Sequence, residues 1–247
     1  MTQILEISFP KSGTHLLWQI LQALMPPAEI PMPPPFFSVF ESDGTTRTEQ
    51  DALAWLDRLL LNDVAASHLY AWRKVMKRVR NPPFVTYFLY RDPRDICVSY
   101  VHHVMNIDVD HYHHAGFAAL PDFSARLMAS ILDVPGGDSD IGQRFRPYLD
   151  WLDCPHVLNI RFTDLVGNQL KTLKRIIVHF DKHAGYPPFV NTPEALANCI
   201  HPEFSGTFTT GTTGKWKKHF TEAHKRIFKD VAGDLLIKLG YEKDYDW

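Results

Sequence analysis

The chain carries near its start the stretch Phe9-Pro10-Lys11-Ser12-Gly13-Thr14-His15. The apolar residues Ile4, Leu5 and Ile7 precede it and predict a buried strand, and apolar residues recur at helical spacing between positions 16 and 24. A loop that joins a strand to a helix offers backbone N–H groups without a partner inside the helix, and the helix dipole places partial positive charge there. The stretch, called here the phosphate loop (residues 9–15), therefore predicts a phosphate-binding site.

Two further apolar runs, at residues 84–90 and 156–162, predict strands. The first run is followed by Asp92 and Pro93, which look like the N-cap and the first residue of a helix that reaches about Met105. The strand-to-helix junction at the start of the chain is therefore expected to recur.

Helical patterns continue the alternation towards the C-terminus. One helix is expected over residues 168–183, and an amphipathic helix is expected from its cap, Thr221, to a stop at Gly240. Strands that alternate with helices predict an α/β fold, in which a central parallel β-sheet is flanked by helices on both faces. Ligands of such sheets bind beyond the carboxyl ends of the strands, so we expect the phosphate loop and Arg91 to share one cleft.

The composition narrows the cellular setting. A chain of 247 residues with 45% hydrophobic residues predicts a single domain over residues 1–247, and a net charge of −2 argues against nucleic acid or an anionic membrane as partner. The three cysteines are widely spaced, as is typical of proteins in a reducing compartment. Neither a signal peptide nor an apolar run of membrane-span length is recognisable, so we expect a cytoplasmic protein without membrane insertion.

Five stretches stand out for their order along the chain: Pro10-Lys11-Ser12-Gly13-Thr14, Ser67-His68-Leu69, Arg91-Asp92-Pro93-Arg94-Asp95-Ile96-Cys97-Val98-Ser99-Tyr100, Phe162-Thr163-Asp164-Leu165 and Gly211-Thr212-Thr213-Gly214-Lys215-Trp216-Lys217. They resemble motifs of the cytosolic-type sulfotransferases that use 3′-phosphoadenosine 5′-phosphosulfate (PAPS). In that order they are similar to the 5′-phosphosulfate loop, the region of the catalytic His, the 3′-phosphate motif, a Tyr-Glu-Asp-Leu-like tetrapeptide and a Gly-x-x-Gly-x-Trp-Lys segment. The resemblance implies the P-loop NTPase-like sulfotransferase architecture.

The same resemblance implies an enzyme that transfers the sulfuryl group of PAPS and releases PAP. It implies His68 as the base for the acceptor proton and Lys11 as the cation that stabilises the leaving phosphate. The residues that it implies in cofactor binding are Lys11, Ser12, Gly13, Thr14, His15, Leu16, Arg91, Ser99, Phe162, Thr209, Thr210 and Gly211. The implied scheme requires no metal.

The chain departs from the family pattern at four places. Thr209 and Thr210 occupy positions where the family often has Arg and Lys, so a charged contact to the 3′-phosphate is lost. Leu16 stands where many members have an adenine-stacking Trp, and Phe162 is expected to contribute to stacking instead. Ala66 replaces a Lys that often precedes the catalytic His.

Three other functions stay open. A P-loop nucleotide kinase or NTPase fits poorly because Lys11 precedes the only glycine of the loop, although Asp92 offers a ligand for a metal ion. A metal site at His111, His113 and His114 lacks the i,i+4 spacing of helical ligands. A non-catalytic nucleotide-binding module of the same fold would not need both a lysine in the loop and a base.

Simpler structural roles also stay open at single positions. Arg91 could pair with Asp95, and the Ser99 hydroxyl could bond back to the Asp95 carbonyl. Trp216 could belong to the core or contact the ligand.

Three segments are expected to line the site of the sulfate acceptor. They are the proline-rich residues 26–40, predicted as an extended surface loop, the long irregular stretch 106–140, predicted as a lid or binding loop, and residues 204–208. Their aromatic residues favour a small apolar or aromatic acceptor with a hydroxyl or amine: Phe36, Phe37, Tyr112, Phe117 and Phe123. The expected partner is this small molecule, and a homodimer is left open.

Overall fold

The computed structural model describes residues 2–27, 35–133, 139–201 and 212–247. The chain divides into two compact units. The first contains residues 1–41, 46–90 and 148–211, and the second contains residues 42–45, 91–147 and 212–247. A single domain over residues 1–247 stays a prediction.

A parallel sheet of five strands forms the centre of the first unit. The strands are β1 (Gln3–Ser8), β2 (Phe36–Ser38), β3 (Val64–His68), β4 (Phe84–Tyr90) and β5 (Val157–Arg161), and their order across the sheet is β2-β3-β1-β4-β5. β1 is buried along its whole length and pairs with β3 on one side and β4 on the other. The predicted α/β class with a parallel sheet is confirmed, and so are the strands expected at 84–90 and 156–162.

Helices follow and connect the strands along the chain. In chain order the described residues form α1 (Thr14–Gln22), α2 (Glu49–Leu56), α3 (Arg73–Val79), α4 (Pro93–Asn106), α5 (His114–Ala118), α6 (Phe123–Leu132), α7 (Ile141–Phe145), α8 (Phe162–Gly167), α9 (Gln169–Ala184), α10 (Pro193–Ala197), α11 (Trp216–His219) and α12 (Glu222–Lys238), with a 3-10 helix at Arg146–Trp151 between α7 and β5. No helix among these is long and apolar enough to cross a membrane.

The core of the first unit explains why α1 lies where the phosphate loop needs it. α1 packs on β1 and β3, and α9 packs on β4 and β5. The apolar stripe of α1 (Leu17, Ile20 and Leu21) is fully buried in one cluster with Ile4 of β1 and Val64 of β3. Burying a leucine or isoleucine side chain stabilises the fold by about 1.5–3 kcal/mol, so the stripe fixes the helix over the sheet.

The second unit is helical. α4 packs against α5, α6 and α11, and α12 packs against α6 and α7. The expected start of α4 is confirmed, because the Asp92 side chain accepts a hydrogen bond from the Arg94 N–H at 2.9 Å and Pro93 is the first helical residue. The cap of α12 at Thr221 is confirmed in the same way.

Two local expectations were wrong. Residues 106–140 were expected to be irregular, but α5 and α6 lie within them. α6 begins after Asp122, whose side chain caps the helix by accepting a hydrogen bond from the Ala125 N–H at 2.8 Å. Residues 36–38, at the end of the expected proline-rich surface loop, form β2 and pair with β3. Strands β2 and β3 were both missed.

Candidate active site

The phosphate loop connects β1 to α1 by a tight turn at the carboxyl edge of the sheet. The Ser12 N–H donates to the Phe9 carbonyl at 3.1 Å, and the Leu16 and Leu17 N–H groups donate to the Gly13 carbonyl. Lys11 has a φ of 69°, a left-handed conformation that costs a non-glycine residue about 1–2 kcal/mol. The loop therefore holds a strained lysine next to the start of α1.

The residues of this loop fit a phosphate group. The Ser12 hydroxyl is fully buried and has no hydrogen-bond partner in the part of the chain that the structure describes. The first turn of α1 carries no acidic residue, and its N-cap, Gly13, has no side chain to occupy the first N–H groups. An uncapped helix start with a buried, unpaired donor is suited to an anion.

Gly13 lies against an aromatic ring. A Cβ added to Gly13 would come within 2.8 Å of the Phe162 ring, and the φ of Gly13 is 110°. Phe162 is the first residue of α8, is only 4% exposed and belongs to the core of the first unit. Its contact with the loop indicates a supporting role there, and stacking on adenine stays a prediction.

His68 ends β3, the neighbour of β1, and its ring is oriented by the end of β1. Nδ1 lies 3.0 Å from the Ser8 carbonyl oxygen and 3.5 Å from the Ser8 hydroxyl. A carbonyl oxygen only accepts hydrogen bonds, so Nδ1 carries the proton and Nε2 of the neutral ring keeps a lone pair. Burial, with smaller effects from the charges of Lys11 and His15, lowers the pKa of His68 to about 4, so the ring is neutral at pH 7.

Ser8 joins this histidine to the loop. Its hydroxyl lies 2.7 Å from the Thr14 hydroxyl, and Thr14 is the first residue of α1. One residue at the end of β1 thus contacts both His68 and Thr14. His15 and Leu16 follow in α1, the first exposed and the second half-buried.

The aromatic residues expected at the acceptor differ in exposure. Phe36 is 53% exposed, and its ring meets His68 edge-on with 5.4 Å between centroids. Phe37 is buried next to Trp55, and Phe117 is fully buried against α4, so these two belong to hydrophobic cores. Phe36 is therefore the member of the set that lies exposed beside the histidine.

Arg91 lies in the second unit, directly after β4 in the chain. Its Nη2 donates to the Thr212 carbonyl at 3.0 Å and also lies 3.9 Å from a carboxylate oxygen of Asp95, so the Arg91–Asp95 ion pair is present. Burial lowers the pKa of Arg91, and the nearby carboxylate of Asp95 partly offsets this. Ser99 is half-buried on α4, and within the described residues its hydroxyl does not bond to the Asp95 carbonyl.

Asp95 holds the described part of the C-terminal motif, around Gly214 and Trp216. Its carboxylate accepts from the Gly214 N–H at 2.7 Å and from the Trp216 N–H at 3.0 Å. Lys215, between these two residues, has its pKa lowered by burial and by the charge of Arg91. Two cations are thus gathered around one carboxylate, a feature that the sequence motifs did not reveal.

Asp92 and Arg94 form a buried ion pair. Arg94 donates to both carboxylate oxygens of Asp92, to the nearer at 2.8 Å, and its guanidinium lies 3.8 Å from the centre of the Trp216 ring. Trp216 is 7% exposed, so of its two predicted roles the core role is observed. Both carboxylate oxygens of Asp92 accept hydrogen bonds from Arg94. The residue that offered a metal ligand to a nucleotide kinase or NTPase is therefore already paired with an arginine.

Thr209, Thr210, Gly211 and residues 204–208 lie outside the described residues. The described residues contain no group of three His, Cys, Asp or Glu side chains arranged to hold a metal ion. The fully buried Glu6 was missed, although a Glu inside the apolar run of β1 is visible in the sequence.

Comparison with known proteins places this geometry in a family. A family model of the sulfotransferase domain matches residues 1–240. Sulfotransferase 6B1 of Danio rerio is 27% identical over 172 residues, which are 64% of this chain and 54% of that protein. The chain thus spans about half the length of this curated relative.

Solved structures share the fold. Mouse sulfotransferase SULT7A1 complexed with PAP superposes with a TM-score of 0.64 at 18% identity, covering 95% of this chain and 84% of that one. Retinol dehydratase in complex with androsterone and inactive cofactor PAP gives a TM-score of 0.54 at 13% identity, covering 95% and 80%. Since the family model spans nearly all of the 247 residues, the chain belongs to the sulfotransferase domain family.

Proposed function

We propose that the chain transfers the sulfuryl group of PAPS to a hydroxyl or amine of a small acceptor and releases PAP. The observation that carries the proposal is the neutral His68, oriented through Nδ1 by the carboxyl end of β1, which also leads into the phosphate loop. Family membership supports the same reaction. The PAP bound in the related SULT7A1 and retinol dehydratase structures supports PAPS as the donor.

The phosphate loop is the proposed site of the 5′-phosphosulfate. The N–H groups at the start of α1, the buried Ser12 hydroxyl and the Thr14 hydroxyl donate to the phosphate oxygens. PAPS supplies the sulfuryl group, and the Lys11 ammonium stabilises the charge that develops on the bridging oxygen as the S–O bond breaks. The strained backbone of Lys11 fits such a role, because strain is often retained where it positions a functional group.

His68 is the proposed base. Its Nε2 lone pair takes the proton from the acceptor while the acceptor oxygen or nitrogen forms the new bond to sulfur. A pKa of about 4 keeps the lone pair available at neutral pH. The Ser8 carbonyl accepts from Nδ1 and stabilises the cationic ring that forms when Nε2 is protonated.

Arg91 and Ser99 are proposed to bind the 3′-phosphate. A guanidinium offers two parallel donors to a phosphate, and the serine hydroxyl adds a third. Lys215 compensates for the charge that is lost where Thr209 stands at the position of the family's Arg, since Lys215 is close enough to Arg91 for the charge of Arg91 to lower its pKa. Asp95 fixes this lysine by holding Gly214 and Trp216.

The proposed acceptor is small and apolar or aromatic. Phe36 supports this class, because its exposed ring stands edge-on to His68 and offers an apolar surface next to the base. Androsterone, which is bound in the related retinol dehydratase structure, is a small molecule with a large apolar surface. A Phe36→Ser variant is expected to raise KM for the acceptor while the KM for PAPS stays constant.

The test is PAP formation from PAPS with a panel of phenols, steroids, lipid alcohols and sugars. Lys11→Ala and His68→Ala are expected to lose turnover, whereas Lys171→Ala and His156→Ala, at exposed positions, serve as matched controls. His68→Ala should still bind PAP in calorimetry, which separates a base from a binding residue. Full turnover in His68→Ala and Lys11→Ala would overturn the mechanism.

The alternative functions are tested in the same preparation. Stabilisation by ATP with magnesium but not by PAP would favour the nucleotide kinase or NTPase. PAP binding without turnover on any acceptor would favour the non-catalytic module. Because the proposed scheme uses no metal, turnover is expected to persist in EDTA.

A further inference from the structure

Ser8 is a polar residue at the end of a buried strand. It is the last residue of β1, its exposure is 0%, and its hydroxyl lies 2.7 Å from the hydroxyl of Thr14. Thr14, the first residue of α1, is only half-buried, so a ligand can reach it, whereas the surrounding core closes Ser8 to any ligand. An effect of the Ser8 hydroxyl on a bound ligand must therefore pass through Thr14.

The neighbours of Ser8 restrict the direction of its hydrogen bond to Thr14. The Ser8 carbonyl accepts from Nδ1–H of His68 at 3.0 Å, and a protonated ring nitrogen does not accept, so the Ser8 hydroxyl does not donate to the imidazole. The Thr14 hydroxyl has a single proton. Because ionised phosphate oxygens only accept hydrogen bonds, a Thr14 that donates to a phosphate must itself accept from Ser8.

The same contact limits the rotation of the Thr14 side chain. A threonine hydroxyl in a helix is divided between two χ1 rotamers. The 2.7 Å contact with Ser8 selects the rotamer in which Oγ1 lies against the end of β1. A hydroxyl that is fixed before the ligand arrives loses less conformational entropy on binding, so the contact favours affinity.

We propose that Ser8 is a positioning residue of the phosphate loop: its hydroxyl donates to Thr14 and directs the Thr14 hydroxyl proton towards the 5′-phosphate of the nucleotide. The proposal rests on the proposed function, since it takes PAPS and PAP as the ligands of the loop. Through its carbonyl oxygen the same residue orients His68. The end of β1 thereby positions groups on both sides of the sulfuryl transfer.

A Ser8→Ala variant separates the two contacts, because it removes the hydroxyl and keeps the backbone carbonyl. PAP binding, measured by calorimetry, is expected to weaken about five- to tenfold, as for the loss of one hydrogen bond. In turnover assays the KM for PAPS should rise by a similar factor, while kcat stays within about twofold because His68 keeps its partner.

A matched control is Ser67→Ala. Ser67 is a fully buried serine of the neighbouring strand β3, and its hydroxyl donates to the Glu6 carbonyl at 2.9 Å. This variant removes a buried serine hydroxyl that does not bond to the phosphate loop, so PAP affinity should stay unchanged.

A double-mutant cycle with Thr14→Val distinguishes positioning from a general effect on the fold. Valine has the shape of threonine without the hydroxyl, so in this background Ser8→Ala is expected to change PAP affinity by less than about twofold. Ser8→Thr, which keeps a hydroxyl, is expected to retain the wild-type affinity. Ser8→Cys fills the space of the serine with a weak donor, so it replaces Ser8→Ala in the cycle if the alanine variant does not fold.

Two results would overturn the role of Ser8 and leave the proposed function standing. One is an unchanged PAP affinity when the Ser8 hydroxyl is removed, and the other is an equal loss of affinity in the wild-type and Thr14→Val backgrounds. An equal loss in Ser67→Ala would overturn the role as well, because it would assign the effect to the sheet. Absence of PAP binding to the wild-type chain would overturn both proposals.

Discussion

Replacing Gly13 by Ala is expected to destabilise the first unit through two separate effects. The φ of 110° lies in a region that an alanine adopts at a cost of about 1–2 kcal/mol. The added Cβ would also come within 2.8 Å of Cδ2 and Cε2 of Phe162, and overpacking of a core costs about 1–3 kcal/mol. Together these terms predict that Gly13→Ala lowers the free energy of unfolding by about 2–5 kcal/mol.

Two other glycines separate the effects. Gly185, at the end of α9, has a φ of 76° and open space around a new Cβ, so Gly185→Ala carries the backbone cost alone, about 1–2 kcal/mol. Gly167 has open space and no positive φ, and it lies in α8. Gly167→Ala is therefore expected to be neutral or to stabilise the chain by up to about 1 kcal/mol.

The assay is urea denaturation of the three variants, followed by tryptophan fluorescence. Gly13→Ala should be the least stable, and Phe162→Leu in the same chain should recover the part that comes from the clash, as a double-mutant cycle measures. If Gly13→Ala loses no more stability than Gly185→Ala, the ring of Phe162 does not hold the phosphate loop. PAP binding by the refolded variant then reports on the loop independently of stability.

Further predictions concern the charged groups. Glu6 keeps its proton up to about pH 8 in the folded chain but loses it near pH 4.5 in the unfolded chain. The free energy of unfolding of the wild type should therefore fall by up to about 5 kcal/mol relative to that of Glu6→Gln as the pH rises through this window. Denaturation at each pH measures this difference. The buried histidines have the opposite effect on the acid side, because burial lowers the pKa of His68, His113 and His179 to about 4. Thermal unfolding should therefore show that stability falls as the pH drops from 6.5 towards 4. Arg94→Ala leaves the buried Asp92 carboxylate uncompensated and is expected to cost about 3–5 kcal/mol in urea denaturation. The matched control, Arg78→Ala, breaks a pair with the exposed Asp57 and should cost less than about 1 kcal/mol; equal losses in the two variants would contradict the role of burial.

The parts of the fold that sequence predicts well are those with local signals. The apolar strand and the amphipathic helix on either side of the phosphate loop are both visible in the sequence. Asp92 and Pro93 mark the N-cap and the first residue of α4. α6 carries similar signals, since Asp122 is a cap and Phe123 and Leu127 have helical spacing. The composition of residues 106–140 is typical of a loop, whereas the periodicity within this stretch predicts the helix.

β3 could not be found in this way. Its residues Val64-Ala-Ala-Ser-His are mostly small and have little strand propensity. They form a strand because β1 and β2 pair with them on either side and α1 packs on them, and the Trp18 indole N–H donates to the Val64 carbonyl at 2.9 Å. The strand depends on tertiary packing, and so does the orientation of His68 at its end. Resemblance picked out this histidine, but the sequence contains no sign of the Ser8 carbonyl that orients it.

Buried unpaired polar atoms do not identify a site by themselves. Thr86 Oγ1 and Asn159 Oδ1 are buried without partners among the described residues, as is Ser12 Oγ. Ser12 differs because its hydroxyl coincides with an uncapped helix start and with a left-handed lysine at the carboxyl edge of a parallel sheet. Energetically unfavourable features that cluster at one place are typical of a functional site, whereas isolated unpaired polar atoms elsewhere are tolerated by the fold.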